Sequence, residues 1–232
     1  MTGGPAVSTP VRAVAAVAVL CGAFALTLGA AVAGQRSPTG LDAAFETGVE
    51  RALGGTGETW VPWVPWVPWV PRALVTPTEP LVVLTVLAVI AGFGVVRRRA
   101  DVVVLAVAGP SVAVAVNTWV LKPMFGRHYD DHLAYPSGHT VSLVATLTVL
   151  VLLAGTRRAR LLTIGCGTVL TAGAAVGMAA LEYHYLTDVV GGAATAVAVV
   201  SGLALLGNAV FRPERRAKPP GSACPRRPEP GR

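Results

Sequence analysis

The sequence predicts an all-α integral membrane protein, a polytopic helical bundle with six transmembrane helices. Its composition is 53% hydrophobic and only 13% charged, whereas a soluble domain carries roughly 25% charged residues. The apolar residues form runs near the ~20 residues that a helix needs to cross a ~30 Å hydrocarbon core. The formal charge of +7 lies in short clusters between these runs, which is typical of membrane-flanking residues and not of a nucleic-acid-binding face.

Six apolar runs are predicted to span the membrane. The second is short and is expected to borrow residues from the segment before it. Small residues at the end of the first run resemble a signal-peptide cleavage site, but the run is longer than an ordinary signal core, so we expect an uncleaved span. The six runs are Val11–Ala33, Leu81–Val96, Val102–Leu121, Tyr135–Ala154, Leu161–Tyr183 and Val189–Phe211.

The distribution of basic residues predicts the orientation. With the N-terminus inside, the cytoplasmic segments hold most of the 19 Lys and Arg residues and few of the 12 acidic ones. Because the Lys/Arg bias sets the orientation, both termini are expected in the cytoplasm. Residues 1–212 then form one membrane domain, and the Pro- and Arg-rich residues 213–232 form a disordered basic cytoplasmic tail.

The predicted extracytoplasmic loop, residues 34–80, contains a Trp-Val-Pro repeat from Trp60 to Pro71. Proline at every third position favours polyproline II over helix, and Trp favours the membrane–water interface. The repeat is therefore either a strip on the outer leaflet or a duplication that the loop tolerates. The cysteines lack the close spacing of a disulfide framework or zinc site, and we assign them no role.

Polar residues gather at the predicted outer ends of the spans. The third span ends in Lys122–Arg127, the fourth opens with Tyr135–Thr140, and the last two meet at Glu182–Asp188. Ionisable residues at span ends that face one compartment indicate a functional site. Each cluster alone has a structural alternative, as interfacial anchors or helix caps, but their conjunction on one face favours a site.

The first two clusters are suited to holding an anion. Lys122 and Arg127 are two cations on a short turn, and Arg can bind a phosphate through two nitrogens. Ser137 and Gly138 at the start of a helix offer a cap and free backbone N–H groups, which form a phosphate cradle.

The histidines add acid–base and nucleophilic chemistry. His139 lies just beyond the cradle, and His184 and Asp188 are four residues apart, so they share one face of a helical turn. A carboxylate beside an imidazole fixes its tautomer and stabilises the cation formed when it attacks. These are the parts of phosphoryl transfer, in which positioning and charge stabilisation dominate.

At these residues the sequence resembles the type 2 phosphatidic acid phosphatase family, membrane relatives of the vanadium haloperoxidases. The family pattern is a Lys with a spaced Arg-Pro, then Pro-Ser-Gly-His, then Ser-Arg, five residues, His, three residues and Asp. Pro136–His139 matches the second motif completely, and His184 and Asp188 have the spacing of the third. The resemblance covers Lys122 to Asp188.

The resemblance implies a metal-independent lipid phosphate phosphatase of the cell membrane. His184 would form a phosphohistidine, Asp188 would orient it, and His139 would protonate the leaving oxygen. Lys122, Ser137 and Gly138 would hold the phosphate. The implied substrate is a lipid-linked phosphate monoester or diphosphate, such as phosphatidic acid or polyprenyl diphosphate, at the outer leaflet.

Two positions depart from the family pattern. Tyr129 stands where the first-motif Arg belongs, so Arg127 is expected to take over that role, and Gly177-Met178 replaces Ser-Arg in the third motif. The alternative function is therefore a catalytically weakened or inactive member that binds lipid phosphate or serves as a membrane assembly partner. A haem- or ion-handling protein is disfavoured, because no two His residues face each other at mid-membrane depth in the predicted spans.

The orientation yields a direct prediction. A reporter that is active only in the cytoplasm should be active when fused after Arg232, because the basic tail is retained on the inner side. Activity from an exported reporter at the same fusion point would place the polar clusters on the inner face instead.

Overall fold

The computed structural model describes residues 11–53 and 69–211, with side chains described as far as residue 207. Most of the Trp-Val-Pro repeat and the predicted tail, residues 213–232, lie outside the described residues. The described chain is almost entirely helical. Its α-helices are α1 (Val11–Val32), α2 (Gly40–Leu53), α3 (Trp69–Val75), α4 (Pro80–Val96), α5 (Ala100–Val116), α6 (Lys122–Phe125), α7 (Gly138–Leu153), α8 (Arg157–Ala180) and α9 (Leu186–Phe211).

Three short elements complete the described fold. A 3₁₀ turn, Thr76–Thr78, joins α3 to α4, and a π turn, Asn117–Leu121, joins α5 to α6. Strands β1 (His128–Tyr129) and β2 (His132–Leu133) pair antiparallel, with Tyr129 opposite His132.

Five segments of the described chain are long and apolar enough to cross a membrane. These segments are Val11–Val32, Trp69–Val96, Ala100–Phe125, Arg157–Ala180 and Leu186–Gly207. The predicted fourth span corresponds to α7, which has 16 residues and is shorter than the others. The all-α membrane fold is confirmed, whereas the sixth span and the orientation of the termini stay predictions.

Helix α9 is packed on three sides in the bundle. It contacts α1, α5 and α7, while α4 packs on α5, α8 packs on α7 and α3 packs on α8. Ala106, Ala113, Ala145 and Ala196 are fully buried in the core shared by α5, α7 and α9. Small residues allow helices to approach closely, and such packing drives helix association where lipid replaces water.

The predicted loop, residues 34–80, contains two helices, α2 and α3, that the sequence interpretation missed. Helix α2 begins with a reciprocal cap: the Thr39 backbone N–H donates to Asp42 Oδ2 (3.0 Å), and the Asp42 backbone N–H donates to Thr39 Oγ1 (3.2 Å). This is a capping-box arrangement, which satisfies two N–H groups at a helix start. Phe45 and Val49 then face the bundle, so α2 folds back over the end of the bundle.

The ends of α7 and α8 differ from the predicted span limits. Helix α7 begins at Gly138 and not at Tyr135, because Ser137 is extended and its hydroxyl accepts from the Thr140 N–H (3.4 Å) as an N-cap. Helix α8 ends at Ala180, and Glu182 turns the chain with a left-handed φ of 56°. Residues 126–137 and 181–185 therefore form loops that meet at one end of the bundle, which we call the site end.

Candidate functional site

The three predicted polar clusters meet at the site end. The Ser137 backbone N–H donates to the Asp188 carbonyl (3.0 Å), which joins the start of α7 to the first turn of α9. Arg127 Nη1 donates to Asp188 Oδ1 (2.8 Å), and the Ala134 N–H donates to the Arg127 carbonyl (2.8 Å). Residues more than 60 positions apart in the sequence are thus joined by direct hydrogen bonds.

Two glycines of α9 allow this close approach. A Cβ added at Gly192 would lie 2.7 Å from the Ser137 carbonyl oxygen, and one at Gly191 would lie 2.3 Å from the Tyr135 ring. Both distances are shorter than van der Waals contact, so a side chain here would push the turn before α7 away from Asp188. Ser137 is consequently fully buried against α9.

His184 lies on the loop before α9, with its Nδ1 3.9 Å from Asp188 Oδ2. This distance is longer than a hydrogen bond, and Nδ1 is buried without a hydrogen-bond partner in the described structure. The carboxylate is held elsewhere: Oδ1 accepts from Arg127, and Oδ2 accepts from the Tyr185 backbone N–H (3.1 Å). Catalytic hydrogen bonds are often long in a free enzyme and shorten when the substrate binds.

The His184 ring is kept neutral by its surroundings. Burial lowers its pKa below the ordinary histidine value, Asp188 opposes the shift, and Lys122 and His139 lower the pKa further. A neutral imidazole has a free lone pair, as a nucleophile requires. The ring is only 5% exposed, so the approach to it is narrow.

His139 lies beside His184 at the start of α7. The two ring centroids are 5.9 Å apart with the ring planes at 68°, and the Tyr183 ring stacks on His139 at 6.2 Å. The structure therefore brings His139 close to His184, the two histidines for which the sequence predicted acid–base and nucleophilic roles. At this separation both rings can contact one small anion.

Lys122 is directed to the same end by the π turn. Pro123 has no N–H to donate within the helix, and the chain before it widens so that the Lys122 N–H bonds to the Asn117 carbonyl five residues back. The Lys122 ammonium donates to the Leu133 carbonyl. Asn117 is fully buried, and a Cβ added at Gly138 would lie 3.7 Å from its Nδ2. The sequence interpretation had given Asn117 no role.

Arg127 occupies a different position from the one expected of an open anion clamp. It is fully buried, its Nη1 donates to Asp188 and Thr187, and its Nη2 donates to Asp42 Oδ2 (2.8 Å). The Tyr185 ring covers the guanidinium with a centroid distance of 4.5 Å. The two terminal nitrogens of Arg127 thus donate to protein oxygens. These contacts leave neither nitrogen free to bind an anion.

Asp42 is the member of this network that the sequence did not predict. Its carboxylate accepts from Arg127, from the Thr187 backbone N–H (2.9 Å) and from the Thr187 hydroxyl (3.1 Å). Burial acts to raise the pKa of Asp42, but hydrogen bonds from Thr187, Arg127 and Thr39 outweigh it and lower the pKa. Asp42 is therefore ionised, and a single buried Arg lies between two carboxylates. The capping-box spacing of Thr39 and Asp42 was the only sequence signal for it.

The two departures from the family pattern have structural causes. A Cβ at Gly177 would lie 2.7 Å from the Pro71 carbonyl oxygen, so α3 can pack on α8 only because this residue is glycine. Met178 is fully buried, and the Ser137 hydroxyl lies 3.7 Å from its sulfur. Tyr129 packs on the Tyr185 ring with centroids 4.4 Å apart. Apolar and aromatic packing thus fills both positions.

Among the described residues, no group of three or more His, Cys, Asp or Glu side chains is placed to hold a metal ion. The model of the PAP2 superfamily matches residues 82–212, which is more than half of the chain and includes all seven predicted site residues. No curated protein is significantly similar in sequence.

One solved structure is similar in fold. It is the crystal structure of a transmembrane PAP2-type phosphatidylglycerolphosphate phosphatase from Bacillus subtilis, with a TM-score of 0.63 and 19% sequence identity over 85% of this chain and 98% of that chain. At this identity the similarity concerns the fold.

The buried ion pairs predict a large effect of Asp42 on stability. Asp42→Asn should lower the free energy of unfolding by about 3–5 kcal/mol, because removal of one partner of a buried ion pair leaves the other charge incompletely compensated. The measurement is unfolding of the purified protein in detergent.

Glu46→Gln is the matched control, since Glu46 lies one turn along the same helix and forms no ion pair within the described residues. Burial and nearby carboxylates, Asp42 first among them, raise the pKa of Glu46, so its neutralisation should leave stability unchanged or increase it. Equal losses in the two variants would contradict a specific role of Asp42.

Proposed function

Because this chain belongs to the PAP2 superfamily, we propose that it hydrolyses a lipid-linked phosphate monoester or diphosphate through a phosphohistidine on His184. The observation that carries the proposal is the arrangement around His184. The buried, neutral imidazole of His184 faces Asp188, which accepts a hydrogen bond from Arg127. The centroid of the His139 ring lies 5.9 Å from that of the His184 ring.

The first step transfers the phosphoryl group to the protein. The His184 nitrogen that points away from Asp188 attacks phosphorus, and the P–O bond to the lipid alcohol or phosphate breaks. The electron pair of that bond goes to the leaving oxygen, which takes a proton from His139. The imidazolium character that develops on His184 is stabilised by Asp188, whose distance of 3.9 Å from Nδ1 shortens as the charge forms.

The second step releases inorganic phosphate. His139, now neutral, takes a proton from a water molecule as the oxygen of that water attacks phosphorus. The P–N bond breaks, its electron pair returns to His184, and the starting protonation states are restored once phosphate leaves. One histidine thus acts as acid and then as base, as general acid–base catalysis of two-step transfer requires.

The phosphate oxygens are held by Lys122, Ser137 and Gly138. Helix α7 begins at Gly138, so its first N–H groups and its positive dipole end face the anion. Lys122 acts on the electrostatics of His184, which indicates that its ammonium lies within range of the same anion. Together these groups stabilise the charge on the transferring phosphoryl group.

Arg127 is proposed to position Asp188 and not to bind phosphate. Its contacts run from Asp42 on α2 through the guanidinium to Asp188 on α9. The loop helix therefore holds the carboxylate that orients the nucleophile. This replaces the expectation that Arg127 takes over the phosphate contact of the missing first-motif Arg.

The lipid character of the substrate is supported by an apolar groove beside the site. The groove has a volume of about 640 Å³, is lined by α1, α7, α8 and α9, and includes Leu186 and Val189 on either side of Asp188 in the sequence. A hydrocarbon chain fits such a lining. Phosphatidic acid and polyprenyl diphosphate are candidate substrates, and the similar Bacillus subtilis structure adds phosphatidylglycerolphosphate. From the Lys/Arg bias we place the site at the outer leaflet of the cell membrane.

The second candidate function is a lipid-phosphate binder or membrane assembly partner with little or no turnover. It is favoured by Tyr129 and Met178, which stand where the family pattern has cations. Loss of one charge-assisted contact to the transition state costs roughly 10²–10³-fold in rate. Both candidates use the same pocket, so turnover separates them.

The test is phosphate release in detergent with EDTA present, from a panel of the candidate lipid phosphates. The wild type should release phosphate from at least one of them, and His184→Ala should lose ~10³-fold or more of that activity, because it lacks the nucleophile. Asp42→Asn should lower kcat with little change in KM, since Asp42 acts through Asp188.

Release that persists in His184→Ala would contradict the phosphohistidine route. Binding of the lipid phosphates without release in the wild type would favour the binder. Glu46→Gln serves again as the control for α2, with kcat unchanged.

A further inference from the structure

We propose that His132, which lies outside the family motifs, contacts the substrate phosphate and supplies a positive charge that the replaced arginines do not. The inference rests on the proposed function and adds the His132 side chain to the groups that hold the phosphate. Its starting point is geometric: the His132 ring centroid lies 5.8 Å from that of His184, with the ring planes at 83°.

His184 is thus approached by two imidazoles from different parts of the chain. His139 comes from the start of α7 with a centroid distance of 5.9 Å, and His132 comes from β2 at 5.8 Å. The phosphoryl group must bond to a ring nitrogen of His184. Since both neighbouring rings lie within 6 Å of the His184 ring, we expect both to contact a group on that nitrogen, His139 as the proton donor.

His132 is held in an orientation that leaves one nitrogen for a ligand. Its Nε2 lies 3.2 Å from the Tyr183 carbonyl oxygen, and because a carbonyl only accepts, Nε2 carries the proton. Nδ1 is then the nitrogen left to contact an anion, which it does as an N–H donor once the ring is protonated. The side chain is exposed, so phosphate can reach it from solvent.

The hairpin places this ring beside the substituted motif position. Tyr129 stands where the family pattern has arginine, and it stacks on His132 with centroids 6.0 Å apart and planes at 29°. The Lys122 ammonium donates to the carbonyl of Leu133, the residue after His132. The cation of the first motif and the imidazole of the hairpin are therefore tied to one short strand.

Several titratable groups surround the His132 ring. Asp130 and Asp131 form the hairpin turn, and Tyr129 and His184 contact the ring itself. Burial raises the pKa of Tyr129, and the charges of Glu46, Glu182 and Asp130 and the nearby Tyr185 raise it further. Tyr183 also lies beside His132, because its carbonyl oxygen accepts the hydrogen bond from Nε2 of His132.

The test compares three variants in the phosphate-release assay. His132→Gln keeps a donor for the Tyr183 carbonyl but cannot carry a charge, and it should lower kcat/KM by roughly 10–10²-fold, the range expected for a lost charge-assisted hydrogen bond. His132→Arg restores a cation and should stay within ~3-fold of wild type by the same reasoning. His128→Gln is the matched control on the same hairpin and should match wild type, since the His128 ring bonds the Gly126 carbonyl.

The pH dependence separates a charge from a structural contact. An imidazole carries a positive charge in acid and none in base. The activity of wild type relative to His132→Arg should therefore fall with rising pH, because arginine keeps its charge.

Orthovanadate supplies a readout that does not need turnover. This phosphate analogue should raise the melting temperature of wild type and His132→Arg in detergent, and the increase should be smaller in His132→Gln. Equal kcat/KM and equal vanadate stabilisation in wild type and His132→Gln would overturn the role of His132, while a loss of activity in His184→Ala would still support the proposed function. If the wild type shows no turnover but its stabilisation by vanadate still depends on His132, the contact of His132 with phosphate is supported and the proposed hydrolase function is contradicted.

Discussion

The described site depends on one buried cation between two carboxylates. Arg127 has no solvent exposure, and its terminal nitrogens reach Asp42 on α2 and Asp188 on α9 at 2.8 Å each. A guanidinium in such a place is tolerable only while its partners are in position, because an unpaired buried charge costs several kcal/mol. The same side chain that stabilises the site end therefore fixes the position of Asp188, whose Oδ2 lies 3.9 Å from Nδ1 of His184. In the proposed mechanism, the same contacts therefore support both stability and chemistry.

Small residues make this network possible. Gly191 and Gly192 bring the turn before α7 onto α9, where the Ser137 N–H bonds the Asp188 carbonyl. Gly177 lets α3 pack on α8 with its backbone. Close helix approach is the usual means of association inside a membrane, and here it also sets the distance between the start of α7 and Asp188. The positions where the family pattern has cations became packing positions, and the nearby hairpin brings an additional imidazole to the site.

Much of the fold and of the site was predictable because the relevant signals are local. Apolar runs identify membrane helices by length alone, and the Pro-Ser-Gly-His motif and the His184–Asp188 pair each lie within a few consecutive residues. The expectation that His184 and Asp188 share a helical turn was wrong, since His184 precedes α9, which begins at Leu186. The burial of Arg127 was not predictable, since its partner Asp42 is 85 residues away and carries only a capping-box signal. The closeness of His132 to His184 was also hidden, because it arises from a short hairpin meeting a loop 51 residues further along the chain. Contacts between distant loops leave little trace in periodicity or spacing.

The central claim is that His184 becomes phosphorylated during turnover, and trapping that intermediate tests it most directly. A lipid phosphate labelled in the transferred phosphoryl group is mixed with the protein, the reaction is quenched in base, and the label on the chain is located. The account predicts an acid-labile, base-stable phosphoramidate on His184 in the wild type and none in His184→Ala. Release of phosphate at a measurable rate, with no label on His184 at any time of quenching and hydrolysis unaffected by His184→Ala, would contradict it.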